Sequence, residues 1–276
     1  MVPTVSSSRT SRSPRAVSLI ALCLAGVVST GSAEIASASP VLPPTPHSAP
    51  TAPSVTPGVA YSCGDVSVNH CYGIEDWLGA TDGVRTSISV RGTTGGNGFV
   101  TNETWLSQDR FWIEAGTIAV YSYNNGKPVY FWADMRPGDS QLNLHYGPPV
   151  AAGDFGHAAA IDIHRTGATT FSVTVSAQTG TKISASSTGN TMAPNEIQVG
   201  TELAGTSGAS DPHTNFADNQ YKHLNGGGWN YQHSDGSTYV IPNPGPVATA
   251  WDSGHNPSNP ASPPGGVFAT CIHGTC

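Results

Sequence analysis

Residues 111–137 read FWIEAGTIAVYSYNNGKPVYFWADMRP, and the first ten of them hold one charged residue, Glu114. The run Asn124-Asn125-Gly126 favours a tight turn, because Asn and Gly tolerate the positive φ that such turns need. We therefore predict an antiparallel hairpin with 125 and 126 as its two-residue loop, so that positions summing to 251 face each other. Side chains alternate along a strand, which places Glu114 on one face with Trp112 and Ile118.

An acidic side chain on such an apolar and aromatic strand has two explanations. It can form a structural ion pair, and Arg136 lies near the far end of the same hairpin. Alternatively it belongs to a functional site, where carboxyls with shifted pKa values are common. The residues leave both explanations open, and the partner of Glu114 in the fold separates them.

The first 38 residues are predicted to be a secretory signal peptide. Arg9, Arg12 and Arg15 form a positively charged start, residues 16–28 are apolar, and small residues that suit a cleavage site follow. The apolar run is shorter than the roughly 20 residues that span a bilayer. We therefore expect a secreted, extracellular protein without a membrane span.

Residues 39–58 are rich in proline, which favours an extended linker, and residues 59–276 provide enough chain for one domain. The net charge of −7 argues against nucleic acid as a partner. Only 11% of the residues are charged and 32 are glycine, a mix typical of extracellular β proteins with many turns. We expect this domain to be a monomer.

Alternating apolar and polar residues predict strands through the middle of the domain. Residues 157–164 and 169–177 each place their apolar side chains on one face, as half-buried antiparallel strands do. Residues 59–98, the Gly- and Ser-rich stretch after Leu203, and the last 35 residues are expected to be loosely structured, apart from a first strand at residues 86–90. Short strands about ten residues apart predict an all-β fold, an antiparallel β-sandwich or jelly roll of the concanavalin type.

Four cysteines lie outside the predicted signal peptide, near the two ends of the domain: Cys63, Cys71, Cys271 and Cys276. In an exported chain an even number favours two disulfides, and four cysteines allow three pairings. Either each end is closed by its own bridge, or the bridges join the two ends. The cysteine spacing differs from that of zinc sites, and no histidine lies in an H-E-x-x-H motif, so we expect no metal and no cofactor.

A second polar row lies in residues 195–203, where Glu196, Gln198 and Glu202 alternate with apolar residues. This row is either a solvated outer face or part of a site shared with Glu114. A carboxylate can take a proton from water, and a second acid or an amide can donate to the developing oxyanion. The pairing of these groups on one concave sheet therefore suits hydrolysis.

Residues 112–116 (WIEAG), followed by a hairpin and by aromatic residues before Asp134, resemble the first catalytic strand of the neprosin family of glutamic peptidases. Residues 198–202 (QVGTE) are similar to the second catalytic strand of that family, of the form E-W-G-G-E, with Gln198 where the first glutamate would be. The resemblance spans residues 105–205. It implies a lectin-like sandwich with seven strands per sheet and an acid-acting peptidase with a polypeptide substrate.

The departure at Gln198 leaves the partner of Glu114 open. The more distantly related eqolisin type uses one glutamine and one glutamate, so Glu114 with Gln198 is one candidate dyad. Glu196 or Glu202 on the same face provides the alternative. The resemblance implies Glu114 as the water-activating base, Gln198 as the oxyanion donor, and Glu196 or Glu202 as an auxiliary acid. The substrate is expected to contact the aromatic and acidic residues around this strand, Trp112, Tyr130, Trp132 and Asp134.

A second hypothesis involves no catalysis. Aromatic residues can line one side of the hairpin, and many lectin-like domains hold sugars on such a surface. These residues are Tyr121, Tyr123, Tyr130 and Trp132. The protein would then be a carbohydrate- or cell-wall-binding module with an extracellular polysaccharide as its partner.

Overall fold

The computed structural model describes residues 70–204, 209–232, 238–242, 247–249 and 267–272. Within these ranges the chain forms two antiparallel sheets, which confirms the predicted all-β sandwich. The first sheet has seven strands, in the spatial order β14 (Thr238–Pro242), β1 (His70–Leu78), β11 (Glu196–Ala204), β4 (Phe99–Gln108), β5 (Phe111–Val120), β6 (Val129–Met135) and β7 (Asn143–Pro149).

The described part of the second sheet has nine strands. Seven follow one another in the order β10 (Gly180–Thr188), β9 (Thr170–Ala177), β8 (Ala158–Gly167), β2 (Gly83–Ser89), β12 (Ala209–Lys222), β16 (Val267–Ile272) and β15 (Val247–Thr249). The short strands β3 (Thr94–Gly95) and β13 (Trp229–Tyr231) also pair with β12. No helix in the described ranges is long and apolar enough to cross a membrane.

The main core lies between the two sheets. Ile113 and Ala115 of β5 pack in one apolar cluster with Ile161 of β8 and Phe171 and Val173 of β9. The alternation predicted for β8 and β9 is therefore confirmed, because their apolar residues are buried and the residues between them are more exposed. Every second residue of β5, including Glu114, faces away from the second sheet.

A buried polar network crosses the core behind β4. Asn102 accepts a hydrogen bond from Thr201 at 2.5 Å, and its Nδ2 donates to Thr93 and to Asp211 at 3.3 Å. Asp211 belongs to β12, so the network joins the two sheets. It fixes β4 and β11 at the level of the candidate site described below.

The hairpin between β5 and β6 is longer than predicted. Paired positions sum to 247, so Glu114 faces Ala133 and Ile118 faces Val129. The connection includes a 3-10 turn at Asn124–Gly126, whose two asparagines have φ values of 49° and 56°. A two-residue loop is therefore wrong, but a shift of four positions is even and leaves each residue on its predicted face.

Several stretches expected to be loose are strands. β1 lies within residues 59–98, β12 occupies much of the Gly- and Ser-rich stretch, and β15 and β16 lie in the last 35 residues. The strand expected at residues 86–90 overlaps β2. β1 was missed because Glu75 and Asp76 interrupt its apolar pattern, although both are buried. β12 was missed because Pro212 and His213 fall at an irregularity between Asp211 and Thr214, where proline is tolerated within a sheet.

Other predictions lie outside the described residues. These are the signal peptide, the linker, Cys63 and Cys276. Cys71 and Cys271 lie in β1 and β16, but their side chains are also outside the described part. The disulfides therefore stay predictions.

Candidate active site

Glu114 lies in the middle of β5, on the face of the first sheet that points away from the second sheet. Gln198 of β11 pairs with Trp105 of β4, which pairs with Glu114. Glu114 and Gln198 therefore share one face and one row, separated by two strand spacings or about 10 Å between backbones.

Two further glutamates lie on this face. Glu103 of β4 is one row away from Glu114, opposite Gly116 on one side and Gly200 on the other. Glu202 of β11 is one row further along. The three glutamates form a diagonal across β11, β4 and β5, with Glu103 in the centre. We call Glu202, Glu103 and Glu114 the glutamate diagonal.

All three carboxyls are buried, with 0% of Glu103, 3% of Glu114 and 4% of Glu202 exposed. Burial, and next the charge of Glu202, raises the pKa of Glu114 to about 8. Burial, followed by the charges of Glu114 and Glu202, raises the pKa of Glu103 well above its ordinary value. Glu114 and Glu103 therefore keep their protons to a higher pH than an ordinary glutamate does.

Aromatic side chains hold the two outer carboxyls of the diagonal. The indole Nε1 of Trp112 donates to Oε2 of Glu114 at 3.1 Å, and Trp105 also hydrogen-bonds to Glu114. The hydroxyl of Tyr72, which lies opposite Glu202 in the β1–β11 pair, hydrogen-bonds to Glu202. Both carboxyls are therefore fixed in orientation.

Glu103 has a different environment. Thr101 donates to its Oε1, whereas its Oε2 has no hydrogen-bond partner in the described part of the chain. The positions on both sides are glycines, and a Cβ on Gly116 would lie 2.8 Å from Cβ of Glu103. Gly116 and Gly200 allow the neighbouring strands to approach closely here, because a Cβ at either position would lie 2.1 Å from a backbone oxygen.

The predicted partners Gln198 and Glu196 contact each other. Gln198 Nε2 donates to Oε1 of Glu196 at 2.8 Å, and Ser107 donates to the other oxygen of Glu196 at 3.2 Å. Both residues are half-buried and lie on the same face as Glu114. The carboxylate that acts electrostatically on Glu114 is that of Glu202.

Glu114 does not form the structural ion pair with Arg136 that the sequence left open. Arg136 Nε binds Asp139 at 2.9 Å and lies 3.7 Å from Asp134. No ion pair of Glu114 with Lys, Arg or His occurs among the described residues. An ionised Glu114 would therefore have no compensating cation among those residues.

Of the residues expected to bind substrate, Trp112 lies beside Glu114, but Tyr130, Trp132 and Asp134 lie on the opposite face of the sheet. Tyr130 is buried in the core, and Trp132 packs against that core. Asp134 accepts a hydrogen bond from Ser187 of the second sheet at 2.5 Å. These three side chains point into the sandwich and are unable to contact a ligand over Glu114.

Glu103 was not identified from the sequence. In β4 polar residues occupy both faces, since Thr101, Glu103 and Ser107 alternate with Asn102 and Thr104. The signal that identifies Glu103 is its register, which places it between two glycines and between two glutamates. Within the described residues, no three His, Cys, Asp or Glu side chains are arranged to hold a metal ion.

Trp112→Phe should raise the pKa of Glu114 further, because the indole hydrogen bond lowers that pKa by favouring the carboxylate. NMR titration of the glutamate carboxyl carbons would measure the shift. Trp77→Phe is the matched control, since Trp77 stacks on Tyr221 in the core at 4.4 Å and should leave the titration unchanged. An unchanged titration in Trp112→Phe would contradict the assigned contact.

No protein-family model matches the sequence, and no curated protein matches it. Among solved structures the chain is similar to a scytalido-glutamic peptidase with a peptide-based transition-state analogue, with a TM-score of 0.53 and 13% identity over 73% of this chain and 97% of that one. A second structure of that peptidase, with a transition-state analogue inhibitor, gives a TM-score of 0.52 at 14% identity and the same coverage.

SCP-B, a member of the eqolisin family of peptidases in complex with the tripeptide Ala-Ile-His, gives a TM-score of 0.49 at 13% identity, again over 73% of this chain and 97% of that chain. At sequence identities this low, a structural match shows a similarity of fold alone. The chain therefore has a glutamic-peptidase-like fold, similar to that of scytalido-glutamic peptidase.

Proposed function

We propose that the protein is a secreted glutamic-peptidase-like hydrolase that cleaves polypeptides in acid. The observation that supports this most strongly is the burial of Glu114 and Glu202 on one sheet face, in a fold shared with scytalido-glutamic peptidase. Buried carboxyls that shift each other's pKa are typical of acid–base sites, where one group stays protonated and the other ionised. The neprosin-like sequence of residues 112–116 also supports this proposal.

The proposed roles of the glutamates differ from those expected from the sequence. Glu202, as the carboxylate, takes a proton from water, whose oxygen attacks the peptide carbonyl carbon. Glu114, as the protonated acid, donates a hydrogen bond to the carbonyl oxygen as it becomes negative. Glu202 then returns its proton to the amide nitrogen, and the C–N bond breaks.

These roles set the upper pH limit of the activity. Glu114 must keep its proton, and its raised pKa of about 8 allows this in acid and at neutral pH. We expect activity to fall as the pH rises through this value. If Glu114 had the ordinary pKa of a glutamate, near 4.3, the activity would be lost at a lower pH.

Glutamine at position 114 tests the donor role, because its amide donates a hydrogen bond but takes no proton from water. Glu114→Gln should keep much of the activity of the purified protein on an unfolded protein substrate, whereas Glu114→Ala should lower kcat by about 100-fold, the usual cost of one oxyanion donor. Mass spectrometry of the products between pH 2 and pH 9, about the range in which carboxyls titrate, measures both.

The matched control is Glu75→Gln. Glu75 is a buried glutamate in the same sheet with a pKa raised to about 8 by burial, but it lies on the core side and binds Asn219 of β12 at 2.7 Å. This variant should keep the wild-type activity. Equal loss in Glu114→Gln and Glu114→Ala would contradict the donor role, and an inactive wild type at every pH would contradict the hydrolase.

A second candidate function has one observation in its favour. Tyr123 and Tyr146 stack at 4.0 Å at the end of the hairpin, where Tyr121 is 68% exposed. Such a pair suits the face of a sugar ring, as in a carbohydrate-binding module. If this is the function, Tyr123→Ala should abolish co-sedimentation with insoluble polysaccharides, while Phe155→Ala, which changes an exposed aromatic residue elsewhere, should not.

A further inference from the structure

Glu103 occupies the centre of the glutamate diagonal but has no part in the reaction steps given above. Its register places it between Gly200 and Gly116, one row from Glu202 and one row from Glu114. A buried carboxyl in this position costs stability unless it is compensated, because an unpaired polar atom away from water is unfavourable. Stability alone therefore does not explain a glutamate at position 103.

The hydrogen bonds of Glu103 indicate where a ligand can bind. Oε1 accepts from Thr101, which fixes the orientation of the carboxyl. Oε2 is buried and has no partner among the described residues. The residues paired with Glu103 on β5 and β11 are glycines, so neither of them has a side chain that could bind Oε2.

We propose that Glu103 is a third catalytic carboxyl, which donates a hydrogen bond from Oε2 to the carbonyl oxygen of the scissile peptide, next to the donor Glu114. This inference rests on the proposed hydrolase function. The substrate oxygen would thus receive two hydrogen bonds from acids on adjacent strands. Glu202 is then the one carboxylate of the diagonal and the base.

The role requires that Glu103 carries a proton. Burial is the main cause that raises its pKa well above the ordinary value, and an ionised Glu114 or Glu202 would raise it further. Thr101 acts in the opposite direction, because its hydrogen bond lowers the pKa. No basic residue forms an ion pair with Glu103 in the described part of the chain.

Two substitutions separate a donor from a packing residue. Glu103→Gln keeps the shape and a donor and should retain kcat within about fivefold of wild type in acid, a change well below the loss of one oxyanion donor. Glu103→Leu keeps the bulk without a donor and should lower kcat by about 100-fold with little change in KM. Thermal unfolding compares the stability of both variants with that of wild type.

The pH profile provides a readout that packing does not affect. In the wild type both donors must be protonated, so log kcat should fall with a two-proton slope on the alkaline side. In Glu103→Gln one ionising donor is gone, and the slope should become that of one proton. This variant decides the question even if Glu103→Leu does not fold.

Three results would overturn the inference while leaving the hydrolase in place: full activity in Glu103→Leu, equal losses in both variants, or an unchanged alkaline slope in Glu103→Gln. A wild type that is inactive at every pH would instead reject the proposed function itself and this inference with it. The two failures are therefore distinguishable in one set of assays.

Discussion

Glu202→Gln should lower kcat on a polypeptide substrate by about 10⁴-fold, the upper range for loss of a general base. Glu202 is buried, acts electrostatically on both other members of the diagonal, and is the member proposed to ionise. A neutral amide at this position is unable to accept the proton of water. The loss should appear in kcat and in kcat/KM alike, because the interaction is made in the transition state.

The measurement is a progress curve for peptide release at acid pH, with Glu75→Gln as the control for neutralising a buried glutamate of the same sheet. Substrate binding to Glu202→Gln should persist, since the amide keeps the size of the side chain. A Glu202→Gln variant that retains most of its activity would show that the base is another residue, with Glu114 as the next candidate.

The second large effect is on the free energy of unfolding, which should fall by several kcal/mol as the pH rises from about 4.5 to 8. Each tenfold difference in proton affinity between the folded and the unfolded chain corresponds to about 1.4 kcal/mol. Glu75 and Glu114 each have a pKa raised from 4.5 to about 8, in both cases mainly by burial. Their folded forms bind a proton more tightly than the unfolded chain does. The contribution is therefore complete below pH 4.5 and lost as the pH approaches 8.

In acid, Asp154 changes the stability in the opposite direction. Although burial raises its pKa, hydrogen bonds from Lys182 and Thr179 lower it below the ordinary value of 3.8. The stability that Asp154 contributes is thus complete above pH 3.8 and lost below it. The protein should be most stable in mild acid, between these two ranges.

Urea denaturation at several pH values between about 3 and 9, the range that spans these titrations, would measure this dependence. Glu75→Gln should remove one of the two contributions, so this variant should be more stable than wild type at alkaline pH and closer to it in acid. If the urea concentration at the midpoint of unfolding rose steadily towards alkaline pH, the result would contradict the raised pKa values of Glu75 and Glu114.

The sequence made Glu114 a candidate because one acid stood in a strongly apolar strand, and Glu202 because it belonged to an alternating row. The hairpin also carried information that excludes three expected substrate residues. An odd sum of paired positions places odd-numbered residues of β6 on the face of Glu114, so Tyr130, Trp132 and Asp134 must lie on the other face.

The centre of the diagonal could not be predicted, because it depends on which strands are neighbours. Glu103 and Glu202 are 99 residues apart in the chain, and only the pairing of β4 with β11 brings them together. The roles proposed for Glu114 and Glu202 also could not be read from the sequence, since they depend on burial and on the distance between charges. The local sequence pattern determines neither the burial of a carboxyl nor its distance from other charges.

The burial of Asn102 has a consequence for producing this protein. Asn102-Glu103-Thr104 is a sequence that eukaryotic secretory systems recognise for N-glycosylation. In the folded chain the Asn102 side chain is 1% exposed and is hydrogen-bonded within the polar network, which leaves no room for an oligosaccharide. A glycan added there before folding would separate β4 from β12, so a bacterial host is the appropriate source of material.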